Sequence, residues 1–381
     1  MRILILNWRS IKDPLAGGAE LATFEHAKRW VKSHNATVYW LSPKYKKNLH
    51  YELIEGVNFV YIGLHLNRNI LHLLYRFPLF YLLVFVKYFQ KYRNNVDVVI
   101  DQVHGLPYLT PLFVKEPIIV HVNEIAGDIW DKMYKFPVNK VGKFLEKLIF
   151  KPYIWKKTTF VSISESTKKD ILSLGIRETN IKVVYCGVSM EVLESPSHKE
   201  EKFTVIFLNR LVKMKGIERA IEIVSLARNS ISEIQFWIVG HGEPDYVQKL
   251  QGQVKMLKLD SQTKFWGFVT DEEKINLLSR AHVLINASYK EGWGLVNIEA
   301  NCNGTPVVAF EVPGNIESVL NGQSGYLAAD NNLQEMADLF VKVKNEPGLS
   351  LSSLEFAKRF DWEKVSEEYY SILKSSIDAN T

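Results

Sequence analysis

Residues 283–309 read Val-Leu-Ile-Asn-Ala-Ser-Tyr-Lys-Glu-Gly-Trp-Gly-Leu-Val-Asn-Ile-Glu-Ala-Asn-Cys-Asn-Gly-Thr-Pro-Val-Val-Ala. Val283–Asn286 is a short apolar strand, Leu295–Asn303 has helical spacing, and Pro306–Ala309 is strand again. Strand, loop, helix and strand in that order imply a parallel sheet with helices on its faces. The loop Ala287–Gly294 therefore lies at a strand's carboxyl end. A helix beginning near Gly294 aims unpaired N–H groups of Leu295 and its successors, and a partial positive charge, at whatever lies in front. That is a ready seat for a diphosphate, and Gly292 and Gly294 are expected to let the backbone approach it.

Glu291 precedes the helix start and Glu299 sits five residues inside it, about 7–8 Å deeper at 1.5 Å per residue. Two acceptor-only carboxylates so placed suit hydroxyl groups on opposite sides of a diphosphate, as on a sugar diphosphonucleoside. Working back along the chain, Leu208-Asn209-Arg210-Leu211-Val212-Lys213-Met214-Lys215-Gly216 bridges another strand end and helix start. Arg210 brings a planar fork for phosphate oxygens and Lys215 a compact charge, an arrangement expected to clamp the same anion.

The alternation extends through both halves of the chain. Strands are expected at Arg2–Leu6, Thr37–Leu41, Phe59–Ile62, Val96–Ile100, Ile118–Val122, Thr159–Ile163 and Lys182–Tyr185, with helices at Ala19–Ser33 and Ser164–Leu174. Polar residues 191–202, carrying Pro196, read as a linker. Strands then resume at Thr204–Leu208, Gln235–Val239 and Lys264–Trp266, with helices at Ile217–Arg228, Asp271–Ser279 and Leu333–Asn345. The reading is α/β: two Rossmann-like, doubly wound parallel-sheet domains facing a cleft, spanning 1–190 and 203–360.

The 381 residues are 47% apolar and 23% charged, the balance of a globular protein with sizeable cores. A net charge of +5 suits an anionic substrate or membrane surface and is too small to argue for nucleic acid. The two cysteines, Cys186 and Cys302, have no metal-ligand spacing, so a reducing cytoplasm is the expected compartment. The longest uncharged apolar run, Phe77–Val86, is far shorter than the roughly 18–20 residues of a spanning helix. No signal peptide is expected.

Together these motifs resemble the retaining glycosyltransferases of family four, the group of glycogen and sucrose synthases and bacterial lipid-linked mannosyltransferases. The resemblance rests on Arg-Leu-x-x-x-Lys-Gly at 210–216 and Glu-Gly-x-Gly-x-x-x-x-Glu-Ala at 291–300. Gly240-His241-Gly242 and Gly267-Phe268-Val269 add to it, and Trp293 departs from it by standing where Phe or Tyr is usual. It implies the GT-B fold, with Arg210 and Lys215 on the diphosphate, Glu299 on the ribose and Glu291 on the transferred sugar. Gly240, Phe268, Gly294 and Leu295 fall in the loops that wrap the nucleotide. In the first domain it implies Gly17 and Gly18 beside the phosphates and His121, read as ending its strand, toward the donor sugar. It also implies that residues 361–381 form a helix returning to the first domain.

The implied reaction moves a sugar from a nucleotide-diphosphate sugar to a hydroxyl of a glycan or lipid-linked acceptor, with retention and without a metal or other cofactor. Two stretches of the first domain, Ile70–Arg93 and Val138–Lys157, mix large apolar residues with lysine and arginine. They fit either docking on an anionic membrane surface or helices covering the sheet with solvated lysines. A nucleotide-sugar epimerase on the same scaffold and a silent subunit of a polysaccharide-assembly complex stand as alternatives. An oxidoreductase is disfavoured, because no Gly-x-Gly-x-x-Gly turn follows the first strand.

Overall fold

The computed structural model describes residues 1–379 apart from 64–69, 105, 128–129, 132–134 and 157; for 70–78 and 104 it describes the backbone alone. The side chains of Leu73, Leu74, Arg76 and Phe77, and all of Lys157, thus lie outside the described residues. The chain divides into two units, Met1–Gly187 with Trp362–Thr381, and Val188–Asp361.

Unit 1 holds β1 (Arg2–Leu6), β2 (Thr37–Pro43), β3 (Tyr51–Ile54), β4 (Val57–Ile62), β5 (Val98–His104), β6 (Ile118–Glu124), β7 (Thr159–Ser162) and β8 (Ile181–Val183). They form one sheet in the order β3-β4-β2-β1-β5-β6-β7-β8. All pairs are parallel except the hairpin β3–β4. That hairpin was not expected. Its two-residue turn is Glu55-Gly56, with φ of 44° and 80°, a left-handed pair that Asn-Gly or Asp-Gly announces and a glutamate hides.

Helices α1 (Gly18–His34), α2 (Ile70–Lys87), α3 (Val138–Trp155) and α4 (Glu165–Ser173) belong to this unit. Alternate strand residues face two cores. Leu4, Leu6, Val99, Val120 and Val122 pack with Phe80, Val84, Phe150 and Tyr153 from α2 and α3. Ile3, Ile5, Val98, Ile100 and Ile119 pack with Phe24 and Trp30 of α1, and with Tyr369, Tyr370 and Leu373 from the end of the chain. The Trp30 indole N–H donates to the Ser366 carbonyl at 3.2 Å.

Unit 2 is a six-stranded, wholly parallel sheet, β9 (Phe203–Leu208), β10 (Ile234–Val239), β11 (Thr263–Gly267), β12 (Val283–Asn286), β13 (Val307–Phe310) and β14 (Gly325–Ala328). The order is β11-β10-β9-β12-β13-β14. Its helices are α5 (Ile217–Ala227), α6 (Pro244–Met256), α7 (Asp271–Arg280), α8 (Leu295–Cys302), α9 (Asn315–Ser318), α10 (Leu333–Lys344) and α11 (Leu349–Ala357). The final helix, α12 (Trp362–Asp378), is the one counted with unit 1. In both sheets the strand order reverses at the first strand of the unit, β1 or β9. Ligands bind outside the carboxyl ends of such switch points.

The segment expected as a linker, 191–202, differs from that expectation and lies in unit 2. Lys199 ties it down, its ammonium donating to Ser279 O, Gly304 O and Thr305 Oγ1, each at 2.9 Å. Burial pulls that ammonium down to about 7.

Leu373 is fully buried between α12 and the sheet. Leu373→Ala is expected to lower the stability of unit 1 by about 2–5 kcal/mol, read from its transition in chemical denaturation.

Candidate functional site

In unit 2 the loop after β9 makes a single 3-10 turn at Lys213–Lys215 before Gly216 passes the chain into α5. Leu211 N–H donates to the His241 carbonyl at 2.8 Å, joining this loop to the one after β10. Gly240 permits that closeness, since a Cβ there would lie 1.8 Å from the Asn209 carbonyl oxygen. The Arg210 side chain is exposed, and its guanidinium has no partner among the described residues.

Lys215 is not free in the same way. Its ammonium donates to both oxygens of Glu291 at 2.8 Å, and the Ser288 hydroxyl donates to Oε1 of the same carboxylate at 2.7 Å. Glu291 is only 8% exposed. The expected Arg–Lys clamp is therefore an open arginine beside a lysine already paired with Glu291. A diphosphate reaching Lys215 must share it with Glu291.

Three buried asparagines fix the loop that carries Glu291. Asn286 Nδ2 donates to the side-chain oxygens of Asn297 at 2.9 Å and Asn315 at 3.1 Å. Asn297 Nδ2 donates to Asn315 Oδ1 at 3.0 Å and Ser318 Oγ at 2.9 Å. Gly294, at φ 76°, starts α8 against this cluster; a Cβ there would meet Asn297 Nδ2 and Ser318 Oγ at 2.7 Å. Its missing Cβ lets the network close.

Arg219 of α5 braces the loop from behind. Its guanidinium donates to the Ala287 carbonyl, pairs with Asp330 at 3.3 Å, and covers the Tyr289 and Phe310 rings at 3.8 and 4.4 Å. Trp293 is buried against Phe360, ring centroids 5.3 Å apart.

At the start of α8 the N–H groups of Leu295 and Val296 find no partner among the described residues, leaving the helix's positive end available. Glu299, a turn further on, accepts from Lys274 of α7 at 3.1 Å, and Lys274 also reaches Asp271 at 3.0 Å. Burial opposes the charge of Lys274, yet the two carboxylates hold its pKa above the ordinary value. Phe268 follows β11, is 80% exposed, and stands edge-on to His241 at 5.9 Å, an open aromatic face at the sheet's carboxyl edge.

Gly17, Gly18 and His121 lie in unit 1. Gly17 caps α1, and its N–H donates to the Glu20 carboxylate at 2.8 Å. The helix start thus already faces an anion of its own. His121 is not at a strand end: β6 continues to Glu124, and the ring is 2% exposed beneath α12. Its Nδ1 is paired with the Tyr369 hydroxyl at 3.0 Å and the two rings stack at 5.4 Å. Burial lowers its pKa to about 4, and burial with the neighbouring His121 also holds His26 well below the usual value.

Two residues onward on the same face, Asn123 is nearly buried, one residue before the strand ends, with neither amide atom partnered. Asn7, Ser42 and Gln102 also have unpartnered polar atoms near the carboxyl ends of β1, β2 and β5. Strand parity, which separates these residues from their apolar neighbours, is the signal that finds this row.

Both units thus carry a switch-point parallel sheet, and the second sets cationic groups and a helix start at its carboxyl edge. The profile "Glycosyl transferases group 1" matches residues 190–361 and "Glycosyltransferase Family 4" matches 16–192. The chain belongs to that glycosyltransferase family. An uncharacterised glycosyltransferase of Methanocaldococcus jannaschii is 26% identical over 96% of both chains. The capsular polysaccharide biosynthesis glycosyltransferase CapM of Staphylococcus aureus is 24% identical over 61% of this chain and 67% of its own. The structure of Anabaena HepE in complex with UDP and glucose superposes with a TM-score of 0.72 at 20% identity, covering 98% of this chain and all of that one.

Lys215→Ala leaves a buried carboxylate without its cation and is expected to cost unit 2 about 1–3 kcal/mol in denaturant titration. For unit 1, His121 is neutral when folded and charges at pH 6.5 when unfolded, so its stabilisation is complete above pH 6.5. It is lost as pH falls toward about 4, by about 1.4 kcal/mol per unit. His121→Gln is expected to flatten that slope when denaturation midpoints at pH 7 and pH 5 are compared.

Proposed function

We propose that the protein transfers a sugar from a nucleotide-diphosphate sugar to a hydroxyl of a glycan or lipid-linked acceptor, with retention of anomeric configuration. The observation that carries this reading is the Lys215–Glu291 pair beside the open start of α8, with Arg210 unpaired on the adjoining loop. The diphosphate takes the Leu295 and Val296 N–H groups, Arg210 and a share of Lys215. Glu291 then accepts from hydroxyls of the transferred sugar, Glu299 from the ribose, and Phe268 offers its face to the base.

As the bond between the anomeric carbon and the diphosphate oxygen breaks, charge grows where those donors already point. The acceptor oxygen bonds the same face of that carbon, and its proton passes to the departing diphosphate. Because Arg210, Lys215 and the helix start supply the positive charge, the reaction proceeds without a divalent metal. HepE, bound to UDP and glucose, supports a nucleotide-sugar donor, and CapM supports a place in surface-polysaccharide assembly.

The acceptor reading extends to the cytoplasmic face of a membrane. Helix α3 supports it by its outward face. Its inward residues are Gly142, Glu146, Phe150 and Tyr153, with Glu146 accepting from the Ala126 and Gly127 N–H groups at 2.9 Å. Its outward residues include Val138, Val141, Leu145, Leu148, Phe144 (66% exposed) and Trp155 (74%), flanked by exposed Lys140, Lys147 and Lys151. Phe150 and Tyr153 cover the sheet in the ordinary way, but the helix carries a second apolar face, mixed with lysine, turned outward. No helix among the described residues is long and apolar enough to cross a membrane.

With UDP, GDP or ADP at about a hundred times its dissociation constant, one nucleotide is expected to stabilise the wild type by roughly 2.7 kcal/mol in EDTA. Arg210→Ala is expected to lose that shift; absence of any shift in the wild type sinks the donor reading. Phe144→Glu with Trp155→Glu is expected to abolish co-sedimentation with anionic vesicles at low salt. Equal recovery of wild type and variant in the pellet would overturn the membrane reading.

A further inference from the structure

A cavity of about 270 Å³ lies in unit 1 against the ends of β2 and β4 and the last turns of α2, and none of its lining residues is among those assigned to the donor. Its polar lining is Lys44, His50, Lys87 and Gln90, and Tyr61 and Gly63 also border it; Ile62, Leu83 and Val86 form an apolar wall. Lys44 directly follows β2 and Gly63 directly follows β4, so the cavity stands at strand carboxyl ends, where open α/β sheets receive ligands. The backbone closes its floor, Lys44 N–H donating to the Ile62 carbonyl at 3.3 Å.

Among the described residues no carboxylate lines it. Glu52, which touches the lining residue Tyr61, accepts its hydroxyl at 2.7 Å and is already paired with Lys12 at 3.0 Å. The Lys44 ammonium meets only the His50 ring, 3.2 Å from Nδ1, and Lys87 has no partner among the described residues. Two lysines with no counter-ion among the described residues thus border one concavity, where an anion would meet both. Beside them α2 turns Leu82, Phe85 and Val86 outward, all exposed.

We infer that this cavity binds a phosphoryl group, taken with the first part of an apolar tail: Lys44, His50 and Lys87 receive the phosphate oxygens, and Ile62, Leu83 and Val86 the tail. The volume equals roughly nine waters at about 30 Å³ each, more than one phosphate fills and enough for a diphosphate with a few carbons. The inference deepens the acceptor reading and rests on it: the phosphoryl group belongs to a lipid-linked acceptor or to a membrane lipid headgroup.

The test is calorimetric titration of the full chain with dodecyl phosphate below its micelle concentration, with inorganic pyrophosphate, and with dodecyl maltoside as the uncharged tail. Dodecyl phosphate is expected to bind the wild type at least tenfold more tightly than dodecyl maltoside. Lys44→Ala with Lys87→Ala is expected to weaken dodecyl phosphate at least tenfold, whereas Arg210→Ala leaves it unchanged. Dodecyl phosphate binding the double variant as well as the wild type, or the maltoside binding the wild type as tightly, overturns the inference.

Pyrophosphate separates the two sources. Binding at the cavity without a tail, lost in the double variant and kept in Arg210→Ala, marks a phosphorylated acceptor head. Binding that requires the tail marks a lipid headgroup. The UDP melting shift of the double variant must match wild type, which shows the fold and donor site intact and keeps a failure here distinct from failure of the donor reading.

Discussion

Everything at the carboxyl edge of the second sheet depends on three asparagine side chains that bond one another out of water. Asn286 ends β12, Asn297 sits in the first turn of α8 and Asn315 opens α9, and each is at most 3% exposed. Unpaired in an apolar interior, such amides would each cost a few kcal/mol; paired, they have few other arrangements open to them. The cluster therefore sets where the strand stops, where the helix starts, and which way the intervening loop must bulge. Glu291 is buried at the crest of that bulge, with its N–H held by the Pro313 carbonyl at 3.0 Å.

The rest of the site follows from that placement. A carboxylate held so deep needs a cation, and the loop after β9 supplies Lys215. The same loop leaves Arg210 outside, so the two basic residues five positions apart have different states. One neutralises the protein's own acid, and the other meets solvent. The site is a charge-balanced pair with an unbalanced arginine and a helix start beside it, which gives a diphosphate a net positive reception without leaving a buried charge alone in its absence. Arg219, beneath the loop, gives the same placement a mechanical backing.

Much of this was legible in the order of residues. Near-continuous Val and Ile runs separated by helical spacing mark the strands of both sheets, and the glycine and proline at 304 and 306 mark the return into β13. Position along the chain also put Glu291 ahead of a helix and Glu299 inside it. Partnership was not legible. Lys215 and Glu291 are 76 residues apart, and their pairing depends on the β9–β12 adjacency that only the sheet order reveals. The extent of β6 was hidden too: its last residues, Asn123 and Glu124, are polar, so the apolar run stops before the strand does. That shifted His121 from mid-strand to an apparent end. Helix α6 was missed because it buries only Leu250 and Val254, too few to print a period on the sequence.

Because α12 packs with unit 1 while unit 2 lies between residues 188 and 361, the first unit is discontinuous in the chain. A ribosome releases the eight strands of its sheet early, yet the helix that covers one of their faces comes last. Through the whole synthesis of unit 2, Ile3, Ile5, Val98 and Ile119 wait without Tyr369, Tyr370 and Leu373. Unit 2 has all of its parts as soon as it leaves the tunnel. The order of completion is thus the reverse of the order of translation, and the nascent first unit presents a greasy, half-covered sheet for the time it takes to make some 170 residues, at roughly 5–20 per second. Folding helpers that shield apolar surface have that interval in which to act.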